Sequence, residues 1–188
     1  MRQPLSVVLS AAKDLLFTAS AVVLMSACNT PPRDAAFRPL MVGDAAPAYA
    51  VRTLSGDFVR VGAGAPVLLN VWATWCTSCR EEMADLAALE RAYAPRGVRV
   101  LAVSVDAGDG TRVRRFVEAE KLPFAVAHDP AGVVQKSFQA VGVPETYLIS
   151  ADGRLLWVQR GGLHGAPAAV RATLDSVVNR GNEGGQSR

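Results

Sequence analysis

The chain has 188 residues, half of them hydrophobic, which is enough for one well-buried domain with appendages but short for two. Its 20 lysines and arginines outnumber 17 aspartates and glutamates by only three, and the basic residues are scattered along the sequence. This pattern excludes the clustered basic surface that nucleic-acid binding requires. With three cysteines and two histidines, the chain also has few ligands for a metal site.

Residues 1–27 have the pattern of a signal peptide of the lipoprotein type. Arg2 and Lys13 supply positive charge, and an apolar stretch from Leu15 ends in the letters LMSAC at Cys28. The stretch is shorter than the roughly 20 apolar residues of a spanning helix. LMSAC resembles the bacterial lipobox, whose cysteine is lipidated and becomes the mature N-terminus. Lipidation of Cys28 would also remove the odd cysteine of an exported protein, although a plain signal peptide or an uncleaved anchor would fit the same segment.

The remaining chain is predicted to divide into three parts. Residues 28–40 comprise the lipidated cysteine and a flexible tether that bears proline and arginine without periodicity. Residues 41–180 form the folded domain, and residues 181–188 form a polar, disordered tail. We therefore expect a monomer that is anchored by lipid to a membrane of the bacterial cell envelope and faces the periplasm.

Within the domain, the first predicted element is a β-hairpin from Tyr49 to Val61, around the turn residues Ser55, Gly56 and Asp57. Val67 to Trp72 and Val98 to Val105 are near-continuous apolar runs, which is typical of strands buried on both faces. Between them, a helix is predicted from Cys79 to Tyr93. It carries an apolar stripe of Met83, Leu86, Leu89 and Tyr93.

The second half continues the alternation of helices and strands that an α/β protein shows. A hairpin is expected around Asp152 and Gly153, the strongest short-range turn signal in the chain. The predicted elements are helices at 111–121 and 133–138, strands at 124–127, 146–149 and 155–159, and a last amphipathic helix from Pro167.

The chemistry is predicted to lie in Cys76 and Cys79, which follow a buried strand and open a helix. Backbone N–H groups and the helix dipole stabilise an anion at the first cysteine, so Cys76 is the candidate attacking thiolate. Cys79 lies one turn further along the helix and can resolve the mixed disulfide that Cys76 forms with a partner. These two residues are thus expected to form a redox-active disulfide.

Three other interpretations of the cysteine pair are weaker. A structural disulfide across so short a loop would stabilise the fold little. A metal site would depend on two distant histidines, His128 and His164, so no metal and no other cofactor is expected. Covalent haem attachment needs a histidine directly after the second cysteine, where this chain has Arg80.

Three motifs carry a family resemblance: NVWATWC at 70–76, CREEM at 79–83 and GVP at 142–144. They resemble the membrane-tethered thioredoxin-like thiol-disulfide oxidoreductases of the TlpA, ResA and CcmG group, from about Val42 to the end of the last helix. The resemblance implies a thioredoxin-like α/β fold, with a central mixed β-sheet flanked by helices and an N-terminal β-hairpin extension.

The same resemblance implies roles around the cysteines. Pro144 would be a cis-proline facing the pair, and the backbone of Val143 would pair with an extended partner peptide. Trp75, Thr77 and Ser78 would complete the substrate-binding surface.

A proton-transfer group is also needed. Thioredoxin has a buried aspartate where this chain has Asn70, so protons must reach Cys79 by another group or by water. The candidates from the sequence are Glu145, then Asp106 and Asp109. A solvated carboxylate is the alternative interpretation of Glu145.

The function implied is reduction of disulfides in exported client proteins, possibly apocytochromes in cytochrome c maturation, with re-reduction by a membrane thiol donor. The alternatives are a disulfide donor, a peptide-binding module whose disulfide is structural, and copper delivery, which the short Cys76–Cys79 spacing opposes. A peroxiredoxin-like peroxidase would need Thr or Ser at Ala73 and Pro at Leu69. Between the two cysteines, this chain has Thr77-Ser78, where proline-containing dipeptides are common in the group that it resembles. The sequence therefore does not determine the reduction potential of the pair.

Overall fold

The computed structural model describes residues 37–165 and 168–185. The predicted signal peptide, Cys28 and the tether before Phe37 lie outside these ranges. Among the described residues, no helix combines the length and the apolar character needed to cross a membrane.

A five-stranded mixed sheet forms the centre of the domain, in the order β5-β4-β3-β6-β7. β3 pairs in parallel with β4, which pairs in parallel with β5, whereas β6 runs antiparallel to both β3 and β7. The strands are β3 (Val67–Trp72), β4 (Arg99–Ser104), β5 (Ala125–His128), β6 (Glu145–Ile149) and β7 (Leu155–Arg160). All six residues of β3 are buried, as its apolar run predicts.

The predicted hairpin extension is present as a separate two-stranded sheet. β1 (Ala50–Arg52) and β2 (Phe58–Arg60) pair antiparallel. The turn between them bonds to the edge of the central sheet, where the Leu54 N–H donates to the Val126 carbonyl at 2.7 Å. The thioredoxin-like α/β fold predicted from the sequence is confirmed.

Helices cover both faces of the sheet. They are α1 (Thr77–Glu81), α2 (Met83–Tyr93), α3 (Thr111–Glu120), α4 (Val133–Phe138) and α5 (Ala168–Gly185), with a 3-10 turn at Ala94–Arg96. Because side chains alternate along β3, Leu68 and Trp72 pack in one core cluster with Cys76 and Cys79, and Leu69 and Val71 pack in a second. The two clusters are called here the cysteine face and the α4 face.

Two element boundaries differ from the prediction. The helix predicted from Cys79 to Tyr93 begins at Thr77 and is divided at Glu82, where ψ is −7°. Its hydrogen bonds nevertheless continue, since the Glu82 N–H donates to Ser78 and the Glu82 carbonyl accepts from Leu86.

The second difference concerns the C-terminal end. α5 continues to Gly185, so residues 181–185 are helical, where a disordered tail is predicted. A single glycine within a helix costs only about 1 kcal/mol, so Gly181 is a weak stop signal.

Candidate active site

The two cysteines form a disulfide at the start of α1. Cys76 is the N-cap residue, and its sulfur accepts a hydrogen bond from the Cys79 N–H at 3.1 Å. The Ser78 hydroxyl lies 3.5 Å from the same sulfur. Helix N-caps stabilise negative charge, so these donors favour a thiolate at Cys76 when the disulfide is reduced.

The second wall of the site is the loop before β6. The Val143–Pro144 peptide bond is cis, and the Val143 carbonyl oxygen lies 3.8 Å from the Cys76 sulfur. Next to the cysteines in sequence, Trp75 is 61% exposed and Thr77 is also exposed. The fold thus brings the predicted site residues of two distant segments to one edge of the sheet.

The loop that carries Cys76 is held in place by Asp106, a buried carboxylate that follows the neighbouring strand β4. Asp106 accepts hydrogen bonds from the Thr74 N–H at 2.8 Å and the Thr74 hydroxyl at 2.5 Å, and from the Ser104 hydroxyl at 2.7 Å. Burial raises the pKa of Asp106, but these hydrogen bonds more than offset it, so the pKa lies below its usual value. Asp106 therefore stays ionised and serves to hold the loop.

A second buried carboxylate, Glu82, lies on the cysteine face. It follows Cys79 by three residues, so the two side chains leave the helix on the same side. The Asn70 amide donates to Glu82 Oε1 at 2.7 Å, and the Leu163 N–H donates to Oε2 at 2.9 Å. Burial raises the pKa of Glu82 to about 7, although both hydrogen bonds lower it.

Glu145, the first proton-transfer candidate from the sequence, is placed elsewhere. It pairs with Val71 across the sheet and therefore lies on the α4 face, opposite to Cys79. Arg160 Nε lies 3.1 Å from Glu145 Oε1 in an ion pair without hydrogen-bond geometry, and Oε2 accepts from the Val141 N–H at 3.0 Å. The prediction of Glu145 as the acid or base for Cys79 is wrong, because the strand turns it away.

The other polar candidates also have local roles. Asp109 is exposed and accepts hydrogen bonds from the N–H and hydroxyl of Thr111 at the start of α3. His128 is half-buried at the end of β5, with Nε2 at 2.8 Å from the Asp106 carbonyl oxygen. His164 is exposed. No cluster of His, Cys, Asp or Glu suited to a metal ion is present among the described residues.

Comparison with known proteins gives the family. The family model described as AhpC/TSA matches residues 42–158, more than half of the chain. The chain belongs to the AhpC/TSA family.

Two relatives of this chain are named for thiol-disulfide chemistry, the chemistry expected of the Cys76–Cys79 pair. It is 33% identical over 155 residues to the thiol-disulfide oxidoreductase ResA of Oceanobacillus iheyensis, covering 79% of each chain. The ResA protein of Bacillus thuringiensis is 33% identical over 117 residues, or 61% of this chain and 67% of the relative.

A crystal structure from Chlorobium tepidum, titled as a thiol:disulfide interchange protein DsbE, is also similar to this family member. It superimposes with a TM-score of 0.68 at 28% identity and covers 74% of this chain and 99% of its own. Together with the Cys76-x-x-Cys79 pair, these relatives make the family member a thioredoxin-like thiol-disulfide oxidoreductase of the ResA and DsbE type. The predicted resemblance and the enzyme class are confirmed.

The sequence motifs did not single out Glu82 as a candidate site residue. A signal was present, since Glu82 stands four residues before Leu86 and seven before Leu89, on the buried stripe of the helix. A carboxylate at a buried helical position is uncommon unless it is paired, so it marks a candidate for chemistry.

Proposed function

We propose that this oxidoreductase reduces disulfides of exported client proteins, with Cys76 as the nucleophile and Cys79 as the resolving thiol. The observation that carries the proposal is the asymmetry of the pair. The Cys76 sulfur is at the helix N-cap beside Val143 and this residue keeps 8% of its surface exposed, whereas Cys79 is fully buried and precedes Glu82 by three residues. A nucleophile needs an anion-stabilising, accessible position, and a resolving thiol needs a proton acceptor.

The first step is a thiol-disulfide exchange between Cys76 and the client. The Cys76 thiolate attacks one sulfur of a client disulfide, which forms a mixed disulfide and releases the second client sulfur as a thiolate that takes up a proton. Val143, half-buried beside the Cys76 sulfur, offers its backbone to an extended client chain, and Trp75, Thr77 and Ser78, next to the cysteines in sequence, complete the binding surface.

The second step uses the buried carboxylate. Glu82 in its ionised form accepts the Cys79 proton, and the Cys79 thiolate attacks the Cys76 sulfur. The Cys76–Cys79 disulfide forms, the client leaves as a second thiolate, and two electrons have passed to the client. With a pKa of about 7, Glu82 can both take up and return this proton near neutral pH.

The reducing direction is supported by the sign of the buried charge. A strong oxidant stabilises its thiolate form, but here the group behind Cys79 is a carboxylate, which disfavours a second negative charge. The proposal also includes a monomeric state, re-reduction by a membrane-embedded thiol donor and a role in cytochrome c maturation. Their support is the likeness to the TlpA, ResA and CcmG group.

The proposed location rests on the sequence. The signal-peptide pattern of 1–27 and the LMSAC ending support export, lipidation of Cys28 and attachment to a membrane on the periplasmic side. Palmitate labelling of the full chain in a bacterial host, with Cys28→Ser as the control, tests the anchor. Labelling that persists in the Cys28→Ser protein would exclude it.

The direction of electron flow is tested by titrating the Cys76–Cys79 pair in glutathione and dithiothreitol buffers. We expect a midpoint near the value of about −270 mV that thioredoxin shows. A midpoint near −120 mV, which is about the value of a strong oxidant, would instead make the protein a disulfide donor.

Catalysis is tested with Cys79→Ser. This variant should accumulate mixed disulfides between Cys76 and clients, and Cys76→Ser should accumulate none. If neither variant traps a client and the wild-type pair does not cycle, the protein is a binding module.

Peroxide consumption at a rate above that of disulfide reduction would favour the peroxidase, but Leu69 and Ala73 are buried apolar residues that supply no hydroxyl group.

A further inference from the structure

Beside the cysteine pair, an open cleft of about 500 Å³ lies between Trp75, the loop after β4 and the first turn of α3. Its lining includes Arg112 and Arg115, which are three residues apart and therefore lie on the same face of α3. Both arginines are exposed. The cleft thus places two guanidinium groups next to the exposed ring that precedes Cys76.

The two acidic residues of the cleft do not neutralise these arginines by direct contact. Asp106 is turned inward to Thr74 and Ser104, and Asp109 accepts two hydrogen bonds from Thr111. The salt bridges found between described residues are formed by other arginines. Arg112 acts on Asp106 through its charge alone, as one of the influences that lower the pKa of that carboxyl.

We propose that this cleft binds an acidic segment of the client, with Arg112 and Arg115 pairing with carboxylates that flank the client disulfide. Guanidinium groups suit this task because their planar donors match a carboxylate in two parallel hydrogen bonds. The Trp75 ring offers an apolar surface between the carboxylate contacts and the reacting sulfur. The position of the cleft on one side of Cys76 also fixes on which side of the client disulfide the acidic residues lie. This inference rests on the proposed function, since it names the client that the reduced pair would select.

The test compares three peptides that contain the same internal disulfide. One has three glutamates before the cysteines, one has three glutamates after them, and one has glutamines at all of these positions. For the reduced full chain, kcat/KM should be roughly tenfold higher for one of the two glutamate peptides than for the glutamine peptide at low salt. The preference should decline at high salt because the contacts are exposed.

The matched variants lie on the same helix. Arg112→Gln combined with Arg115→Gln should remove the preference, so that kcat/KM becomes the same for the glutamate and the glutamine peptides. Arg114→Gln removes the same kind of charge from an exposed residue that does not line the cleft, and it should keep the preference. Equal rates for all three peptides, or equal loss in both sets of variants, would overturn the proposal.

A second measurement separates this inference from the reductase function. Cysteine-free versions of the peptides are titrated into the oxidised full chain, and binding is followed by calorimetry. Binding of a glutamate peptide that depends on Arg112 and Arg115, without reduction of any disulfide peptide, would reject the reductase and keep the cleft. Reduction of all peptides without selective binding would do the reverse.

Discussion

Glu82 and Glu145 are both almost completely buried, yet they lie on opposite faces of one sheet and have different partners. Glu82 accepts hydrogen bonds from two neutral donors, the Asn70 amide and the Leu163 N–H, and its pKa is raised to about 7 by burial. Glu145 has the Arg160 guanidinium beside it. The contrast shows that burial alone does not make a carboxylate a proton carrier. No described residue places a cation beside Glu82, so its proton remains available near neutral pH.

The largest effect is expected from Glu82→Gln on resolution of the mixed disulfide. Without a proton acceptor, the release of a client peptide from Cys76 should slow roughly 100-fold at pH 8, the low end for general acid–base catalysis. The wild-type rate should rise with pH through a midpoint near 7 as Glu82 ionises, and the variant should lose this midpoint. Stopped-flow measurement of peptide release over pH 5 to 9 gives both quantities.

Glu145→Gln is the matched control for that experiment. It makes the same chemical change on the α4 face and should keep the wild-type midpoint and rate. A loss of the midpoint in Glu145→Gln but not in Glu82→Gln would reverse the roles assigned to the two carboxylates.

The next effect concerns the pH dependence of stability. Because the pKa of Glu82 is raised from 4.5 to about 7, the native protein holds a proton that the unfolded chain has lost between these values. Stability therefore falls as pH rises, by on the order of 3 kcal/mol over this window. The difference in the free energy of unfolding between Glu82→Gln and the wild type, measured in urea at pH 4, 5.5 and 8, should grow by this amount. A constant difference would mean that Glu82 titrates normally.

A smaller loss is expected when the Glu145–Arg160 pair is broken. Arg160 remains about one third exposed and can be hydrated, so Glu145→Gln should reduce the free energy of unfolding by about 1–2 kcal/mol rather than by the larger cost of a fully buried unpaired charge. The midpoint potential of the cysteine pair should stay the same. The double variant with Arg160→Gln completes the cycle, and an altered potential would contradict a purely structural role for the pair.

The smallest effect is a shift in the Glu82 titration. The Asn70 amide stabilises the ionised carboxylate, so Asn70→Ala should move the midpoint above 7 by the equivalent of about 1 kcal/mol, the net value of one hydrogen bond. Asn70 also donates to the Thr146 hydroxyl at 2.9 Å. Thr146→Val removes that second bond alone and should leave the midpoint in place. Equal shifts in both variants would indicate a general change of packing.

Much of the fold follows from local patterns. The apolar run at 67–72 corresponds to β3, which is buried on both faces, and the turn signal at Asp152 and Gly153 corresponds to the hairpin between β6 and β7, because burial and turn chemistry are both encoded in consecutive residues. The least accurate boundaries were those set by weak stop signals, as at Gly181. The division of the helix at Glu82 has no turn residue to mark it.

Local sequence patterns were sufficient to identify the pair Cys76 and Cys79, their position at a helix start and the family that they indicate. Which carboxylate lies on the cysteine face, by contrast, depends on the tertiary structure. Side chains alternate along a strand, so Glu145 and Thr146 lie on opposite faces of the sheet. The register of β6 against β3 pairs Glu145 with Val71, which lies on the α4 face. Glu82 meets Asn70 and Leu163 because a helix, a strand and a distant loop pack together. Such contacts between remote segments depend on packing, which spacing along the chain does not encode.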